Sequence, residues 1–179
     1  MFDEKNLITQ CMAGNRVAEK QLYDTYSRSF YGICLRYADS EAEAEDMLIT
    51  GFTLIFTKLS SFQGKGSFVR WMKNIIIHNA LDLIKQRPRW DCVDELPQTG
   101  VSDPPLALPH LEVEELLLVM RKLPALYRHI FNLYAVEGFA HSEIAGMLEM
   151  NESTVRVYYS KAKRMLQELL KDYRKDGTI

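Results

Sequence analysis

The sequence has few cysteines and histidines, no long apolar run, and almost no proline outside one stretch. Three cysteines (Cys11, Cys34, Cys92) and four histidines (His78, His110, His129, His141) are scattered over 179 residues. They form no Cys-x-x-Cys pair and no cysteine has a histidine at zinc spacing, so no structural zinc site is expected. An odd, unspaced set of cysteines suits a reducing compartment, and a cytoplasmic location is expected. Cys11 and Cys34 read as space-filling residues in helices. The longest apolar runs, such as Ile75–Ile77 and Leu116–Met120, fall far below the roughly 18 residues of a spanning helix, so no membrane insertion is expected. The start, MFDEKNLITQ, lacks a basic region followed by an apolar stretch and does not read as a signal peptide. No nucleophile, acid–base pair or metal cluster stands out. The expectation is a protein that is not an enzyme and takes no cofactor.

What is present is a core-forming composition and a strong charge pattern. Hydrophobic residues make up 47%, which excludes a disordered chain. The net charge is only −2, but the charges are segregated. Lys58, Lys65, Arg70, Lys73, Lys85, Arg87 and Arg89 face a single acid, Asp82, in the segment 58–89. From Asp91 to Met120 there are only acids: Asp91, Asp94, Glu95, Asp103, Glu112, Glu114 and Glu115. Basic residues return from Arg156 to Lys175, against Glu168 and Asp172. Two basic segments flank an acidic one, and a polyanion meets local field rather than net charge.

Five of the six prolines fall between Pro88 and Pro109. Proline removes a backbone donor and disfavours helix just before it, and this stretch has no sustained period, so it reads as a linker. The expected organisation is all-α: a helical domain over 1–89, a Pro-rich acidic linker over 90–110, and a second helical domain over 111–179. In the first domain Phe68, Trp71, Met72, Ile75 and Ile76 form an apolar stripe down one helix. Trp71 therefore reads as core packing. Phe52, Ile55, Phe56 and Leu59 form a second stripe. Asp39 or Ser40 can cap that helix, and the acids Glu41, Glu43, Glu45 and Asp46 suit its positive end. In the second domain Leu116, Leu117, Met120 and Leu123 mark a helix stopped near Pro124. Leu126, Ile130, Phe131 and Tyr134 mark another, ended by Gly138.

The stretch HSEIAGMLEMNESTVRVYYSKAKRML, from His141, has the rhythm of a helix-turn-helix. Counted from His141, the small Ala145 takes the fifth place, where two helices cross closely. The apolar Val155 takes the fifteenth, where the second helix is pinned to the first. Val155, Tyr159, Ala162, Leu166 and Leu169 share one face of that second helix. Arg156, Ser160, Lys161 and Lys163 are expected on other faces, open to phosphates or base edges. Asn151 is a suitable N-cap. Two local features cut against the pattern. Glu149 stands at the usual glycine of the turn, where it has to accept a left-handed backbone or a different turn. Ala140 stands where a capping box has Ser or Thr, although Glu143 supplies the acid. On spacing alone, a structural helical hairpin with a solvated basic face remains open.

Taken together, LYDTYSRSF…DLIKQRPR and LPALYRHIF…MLQELL resemble regions two and four of the extracytoplasmic-function sigma factors, the small members of the sigma-70 family. The likeness lies in the order and spacing of the parts rather than in a single motif. It implies a protein that binds core RNA polymerase and promoter DNA at the −35 and −10 elements, leaves the chemistry to polymerase, is monomeric when free and is held by an anti-sigma factor. By the same resemblance the helix carrying AEDMLITGF meets polymerase. Asp46 matches there, whereas Ile49 and Thr50 replace the usual Gln-Glu, which weakens a contact with a basic partner. The loop Phe62, Gln63, Gly64, Lys65, Gly66, Ser67 resembles the loop that traps a flipped −10 base, with Lys65 where an acid is commoner. His78 takes the place of an Asn lining that pocket. Lys73, Arg87 and Arg89 are implied DNA contacts, the two arginines on backbone phosphate. In region four Ser153, Thr154, Arg156, Ser160, Lys161 and Lys163 fall in or beside the −35-reading positions, while Val157 and Tyr158 replace commoner polar or basic residues. Two other readings stay open. A stand-alone helix-turn-helix regulator would be a homodimer on a palindromic operator. A sigma-like interaction protein would bind polymerase or an anti-sigma factor without initiating.

Overall fold

The computed structural model describes residues 4–86 and 113–175, and every regular element among them is helical. The chain divides into two compact units, Met1–Arg87 and Pro88–Ile179. The expected linker over 90–110, with Arg87 and Arg89, lies outside the described residues. Among the described residues no helix is long and apolar enough to cross a membrane.

The first unit contains α1 (Glu4–Met12), α2 (Arg16–Tyr37), α3 (Glu41–Lys58), a 3₁₀ turn (Leu59–Ser61) and α4 (Phe68–Lys85). Each long helix starts on a polar cap that accepts otherwise orphaned backbone N–H groups. The Asn15 side chain accepts from the N–H groups of Val17 and Ala18. Ser40 accepts from Glu43 N–H at 3.2 Å, while the Glu43 carboxylate reaches back to Asp39 N–H at 2.8 Å. Ser67 accepts from Arg70 N–H at 3.3 Å. Of the two caps expected for α3, Ser40 is therefore the one used.

Helices α2, α3 and α4 pack mutually, with α1 laid against α2. Leu22, Phe30 and Cys34 from α2, Met47, Phe52 and Ile55 from α3, and Phe68, Met72, Ile76 and Ile77 from α4 are all buried. Each such large apolar side chain contributes about 1.5–3 kcal/mol on burial. Phe52 is a hub, its ring 4.7 Å from Tyr23 and 5.8 Å from Phe30. Gly51 lets α3 and α4 approach closely, because a Cβ there would overlap the end of Ile76. One buried polar bond ties the same pair of helices: Asn79 Nδ2 donates to the Met47 carbonyl at 3.0 Å. Burial pushes the Cys34 thiol up to about 12, with its own backbone bond and Arg36 acting the other way. It is a packing group, inert at neutral pH.

The second unit contains α5 (Val113–Arg121), α6 (Ala125–Phe131), a π-helical segment (Asn132–Val136), α7 (His141–Leu148) and α8 (Glu152–Lys175). The stop expected at Pro124 and the end expected at Gly138 bracket α6 and its π segment. The wide turn itself has no signal in the apolar spacing. Val119, Met120, Leu123, Tyr127 and Phe131 pack on Ala162, Leu166 and Leu170 of α8. The Arg128 guanidinium, itself buried, donates to the Arg121 carbonyl at 3.4 Å. That places a cation at the C-terminal end of α5, where the helix dipole favours it. Burial pushes the Tyr127 phenol up, with Tyr158 adding to the shift.

Between α7 and α8 the backbone makes the tight turn read from the spacing. Glu149 adopts φ 57°, ψ 40°, a left-handed conformation, and its N–H bonds to the Ala145 carbonyl. Met150 N–H bonds to that carbonyl too, at 2.9 Å. Ile144, Ala145, Leu148 and Val155 are buried in the crossing. At the start of α7 only half of a capping box forms. Glu143 accepts from Ala140 N–H at 2.7 Å, and alanine has no side-chain acceptor to reciprocate.

Candidate nucleic-acid interface

In the first unit the loop between the 3₁₀ turn and α4 is an exposed arch fixed at both feet. Gly64 and Gly66 have φ of +70° and +79°, and nothing lies within 4 Å of the place a Cβ would take. Backbone conformation, not crowding, makes glycine fit there. Gln63, Lys65 and Ser67 are exposed, with Lys65 between the two glycines. Phe62 is half-buried, 5.0 Å from Phe68 and 5.5 Å from Trp71, and Phe68 stacks on Trp71 at 5.7 Å. Trp71 is half-buried against these rings, and its indole anchors the loop as well as packing the helix. Ser67 is committed to the cap of α4. Along α4, Trp71, Ile75 and His78 follow one side of the helix, half-buried, half-buried and exposed. Lys73 is half-buried and engaged in an interaction of its own. Exposed glycine backbone, a cation and adjacent aromatic rings are the components that hold a single strand by phosphate attraction and stacking.

On α3 of the same unit Asp46, Ile49 and Thr50 are all exposed, and Ile49 is 59% open. Ile49 and Leu48 border a groove whose other walls include Tyr23, Arg28, Tyr31 and Glu45. Ile49 is thus an exposed apolar side chain on a face that also carries the acids Glu45 and Asp46.

In the second unit α8 offers a narrower polar face than expected. Ser153 and Arg156 are exposed, and Thr154 and Ser160 are half-buried. Lys161 and Lys163, expected on an open face, are buried, at 9% and 7% exposure, and neither is a free cation. They flank Ala162, which is fully buried, so their aliphatic stems border the core stripe. Lys161 Nζ also lies 6.0 Å from the centre of the Tyr158 ring. Tyr158 and Tyr159 widen that stripe through Tyr127 at 5.3 Å and Phe131 at 6.0 Å. Arg164, not singled out from the sequence, is exposed. It continues the line Arg156, Ser160, Arg164 at four-residue steps, the spacing that could have found it.

The head of α7 is held to α8 by rings. Tyr134 stacks on His141 at 4.0 Å and meets Tyr159 at 4.6 Å. His141 is half-buried and His129 fully buried, so both act as packing residues, whereas His78 is exposed. The result is a helix-turn-helix whose second helix shows Ser153, Arg156, Ser160 and Arg164 outward. Arginine in such a position can pair bidentately with a guanine edge or bond a phosphate.

Comparison with known proteins matches both units. The model for sigma-70 region 2 covers residues 22–89, and the model for sigma-70 region 4 covers residues 113–166. Together they span more than half of the chain. The ECF RNA polymerase sigma factor SigW of Bacillus subtilis is 25% identical over 94% of this chain and 97% of its own length. The RNA polymerase sigma-H factor of Pseudomonas aeruginosa is 22% identical over 93% of each. Among solved structures, the sigma factor RpoE of Bartonella quintana, in complex with the anti-sigma factor NepR, superposes with a TM-score of 0.57. It is 21% identical, over 85% of this chain and 96% of that one. CnrH, in complex with the cytosolic domain of CnrY, gives 0.55 at 20% identity, over 94% and 97% of the two chains.

Proposed function

Because this chain belongs to the sigma-70 family, in its extracytoplasmic-function group, we propose that it is an alternative sigma factor whose two units divide one task. It binds core RNA polymerase and directs it to particular promoters; polymerase supplies the catalysis. The observation that carries the reading is the presence in one chain, in this order, of α2–α4 matching region 2 and α5–α8 matching region 4.

In this reading the exposed face of α3, with Asp46, Ile49 and Thr50, docks on polymerase. The arch Phe62–Ser67, with Lys65 at its tip and His78 on α4, engages the −10 strand, and Lys73, Arg87 and Arg89 add phosphate attraction. Helix α8 enters the major groove at the −35 element. Ser153, Thr154, Arg156 and Ser160 approach base edges, and Arg164 approaches the backbone. Lys161 and Lys163 contribute there only once their side chains swing out of the positions they hold in the free chain. Domain limits of 1–89 and 111–179, a monomeric free state and a cytoplasmic location belong to the same proposal. An anti-sigma factor is its proposed regulator, since related folds have been solved with such partners bound.

Run-off transcription with core polymerase on fragmented genomic DNA tests it. Discrete start sites that appear only when this chain is added support initiation. Polymerase binding without any new start site would point instead to a sigma-like interaction protein.

A further inference from the structure

Arg156 does not stand alone at the head of α8. Its guanidinium donates to a single carboxylate oxygen, Oε1 of Glu152, through Nε at 3.1 Å and Nη2 at 2.5 Å. Both side chains are open to solvent, 61% for Arg156 and 42% for Glu152. Glu152 sits in the first turn of α8, where the helix dipole favours a carboxylate. An acid four residues before a cation is also the better-oriented helical pair. As a surface ion pair it adds little to stability. Its location gives it another use.

From Glu152 to Tyr159 Arg156 is the sole cation. The groove before it is lined in part by Tyr134, His141, Glu143 and Glu152. The Glu152 carboxylate therefore sits on the guanidinium, and Glu143, whose carboxylate accepts from Ala140 N–H, adds a second acid to the same groove at the end of the helix read as entering the duplex. That is a poor site for phosphate, which both acids repel. It suits base edges better. A carboxylate in the major groove can accept only from the amino group of cytosine or adenine, whereas guanine and thymine offer it acceptors. A guanidinium has five N–H donors in a fixed fork. With Nε and one Nη2 hydrogen engaged by Glu152, its free donors form the far edge, which matches the O6 and N7 acceptors of guanine.

We propose that Glu152 is a specificity-determining residue of α8: it holds the Arg156 guanidinium edge-on for guanine, keeps it off the phosphates, and favours an amino-bearing base alongside. The proposal rests on the reading of α8 as the −35-reading helix, and its test separates the two. The full chain, bound to core polymerase, is used to select from promoter duplexes randomised across the −35 region. Wild type, E152A and E152Q are compared. The chain alone is also titrated with a random-sequence duplex at several salt concentrations.

The wild type is expected to enrich guanine at one position. E152A should weaken that preference roughly three- to tenfold, part of the discrimination of one bidentate contact. It should also steepen the salt dependence on random duplex by about one counterion, because one repelling charge is gone. E152Q keeps an acceptor for Arg156 and loses the charge. It should keep the guanine preference and share the steeper salt dependence, a split that a purely structural role would not produce. An E152A selection identical to wild type in sequence and discrimination overturns the proposal alone. Failure of the wild type to enrich any sequence overturns the −35 reading and this proposal with it.

Discussion

The two units bury polar groups very differently. In the first, the described buried core is apolar apart from Asn79, whose amide bonds to a backbone carbonyl of α3. In the second, Arg128, His129, Asn132, Lys161 and Lys163 are all buried. The first unit keeps its candidate functional groups outside an apolar core, on a loop and on helix faces. The second draws charged and polar side chains into the body that carries its helix-turn-helix, and adds a left-handed glutamate at the turn. Burying polar groups is expensive unless they are paired. The second unit is therefore the one whose stability depends on partners being in place, and the first depends on packing.

The largest expected effect breaks the packing side of that contrast. Phe52→Ala removes a buried ring that touches Tyr23 and Phe30, and should destabilise the first unit by about 3–5 kcal/mol. Urea unfolding followed by hydrogen exchange, resolved by segment, checks that protection is lost in α2–α4 first. Next, Arg156→Ala should weaken binding to the selected promoter by about 1–3 kcal/mol, and by less on unrelated duplex. Equal losses on both, in a fluorescence titration, would make it a phosphate contact only.

Asn79→Ala should lower the stability of the first unit by about 1–2 kcal/mol, because it removes a bond in a dry environment and leaves a gap. Asn79→Leu, which removes the same bond but fills the space, should cost less. If both cost the same, the hydrogen bond and not the packing ties α3 to α4. The smallest effect sharpens the contrast from the other side. Glu149→Gly relieves a left-handed residue and should stabilise the second unit by about 0.5–1 kcal/mol, seen as a raised denaturation midpoint without change in the first.

Much of this contrast is legible in the order of the residues, and the parts that are not share a cause. Ser40, Pro124 and Glu149 act through local backbone chemistry, so each can be assigned from its neighbours in sequence. The apolar stripes of α3 and α4 declare the faces they bury through their period. A period gives the direction of the buried face but not its width. Lys161 and Lys163 border the stripe of α8, and whether their stems are covered depends on Tyr158, Tyr127 and the packing around them. Asn79 looks like any polar helix residue until Met47, 32 positions away, is brought beside it. The wide turn of the π segment after α6 carries no spacing signal strong enough to mark it, and α1 is marked only by Cys11 as a helical packing residue. In the candidate sites, the glycine arch and Arg156 follow from residue type and position. The Glu152–Arg156 pair depends on side-chain rotamers, which no spacing rule reports.

The central claim is the proposal that one chain joins a unit that docks on polymerase and engages the −10 strand to a unit that reads the −35 element. It is tested most directly by titrating the labelled full-length chain with bacterial core RNA polymerase. Tight, saturable one-to-one binding is the predicted result, with Ile49 and Thr50 at the contact. A folded, monomeric chain that does not bind core polymerase would contradict it, and would leave the helix-turn-helix of the second unit to act on DNA alone.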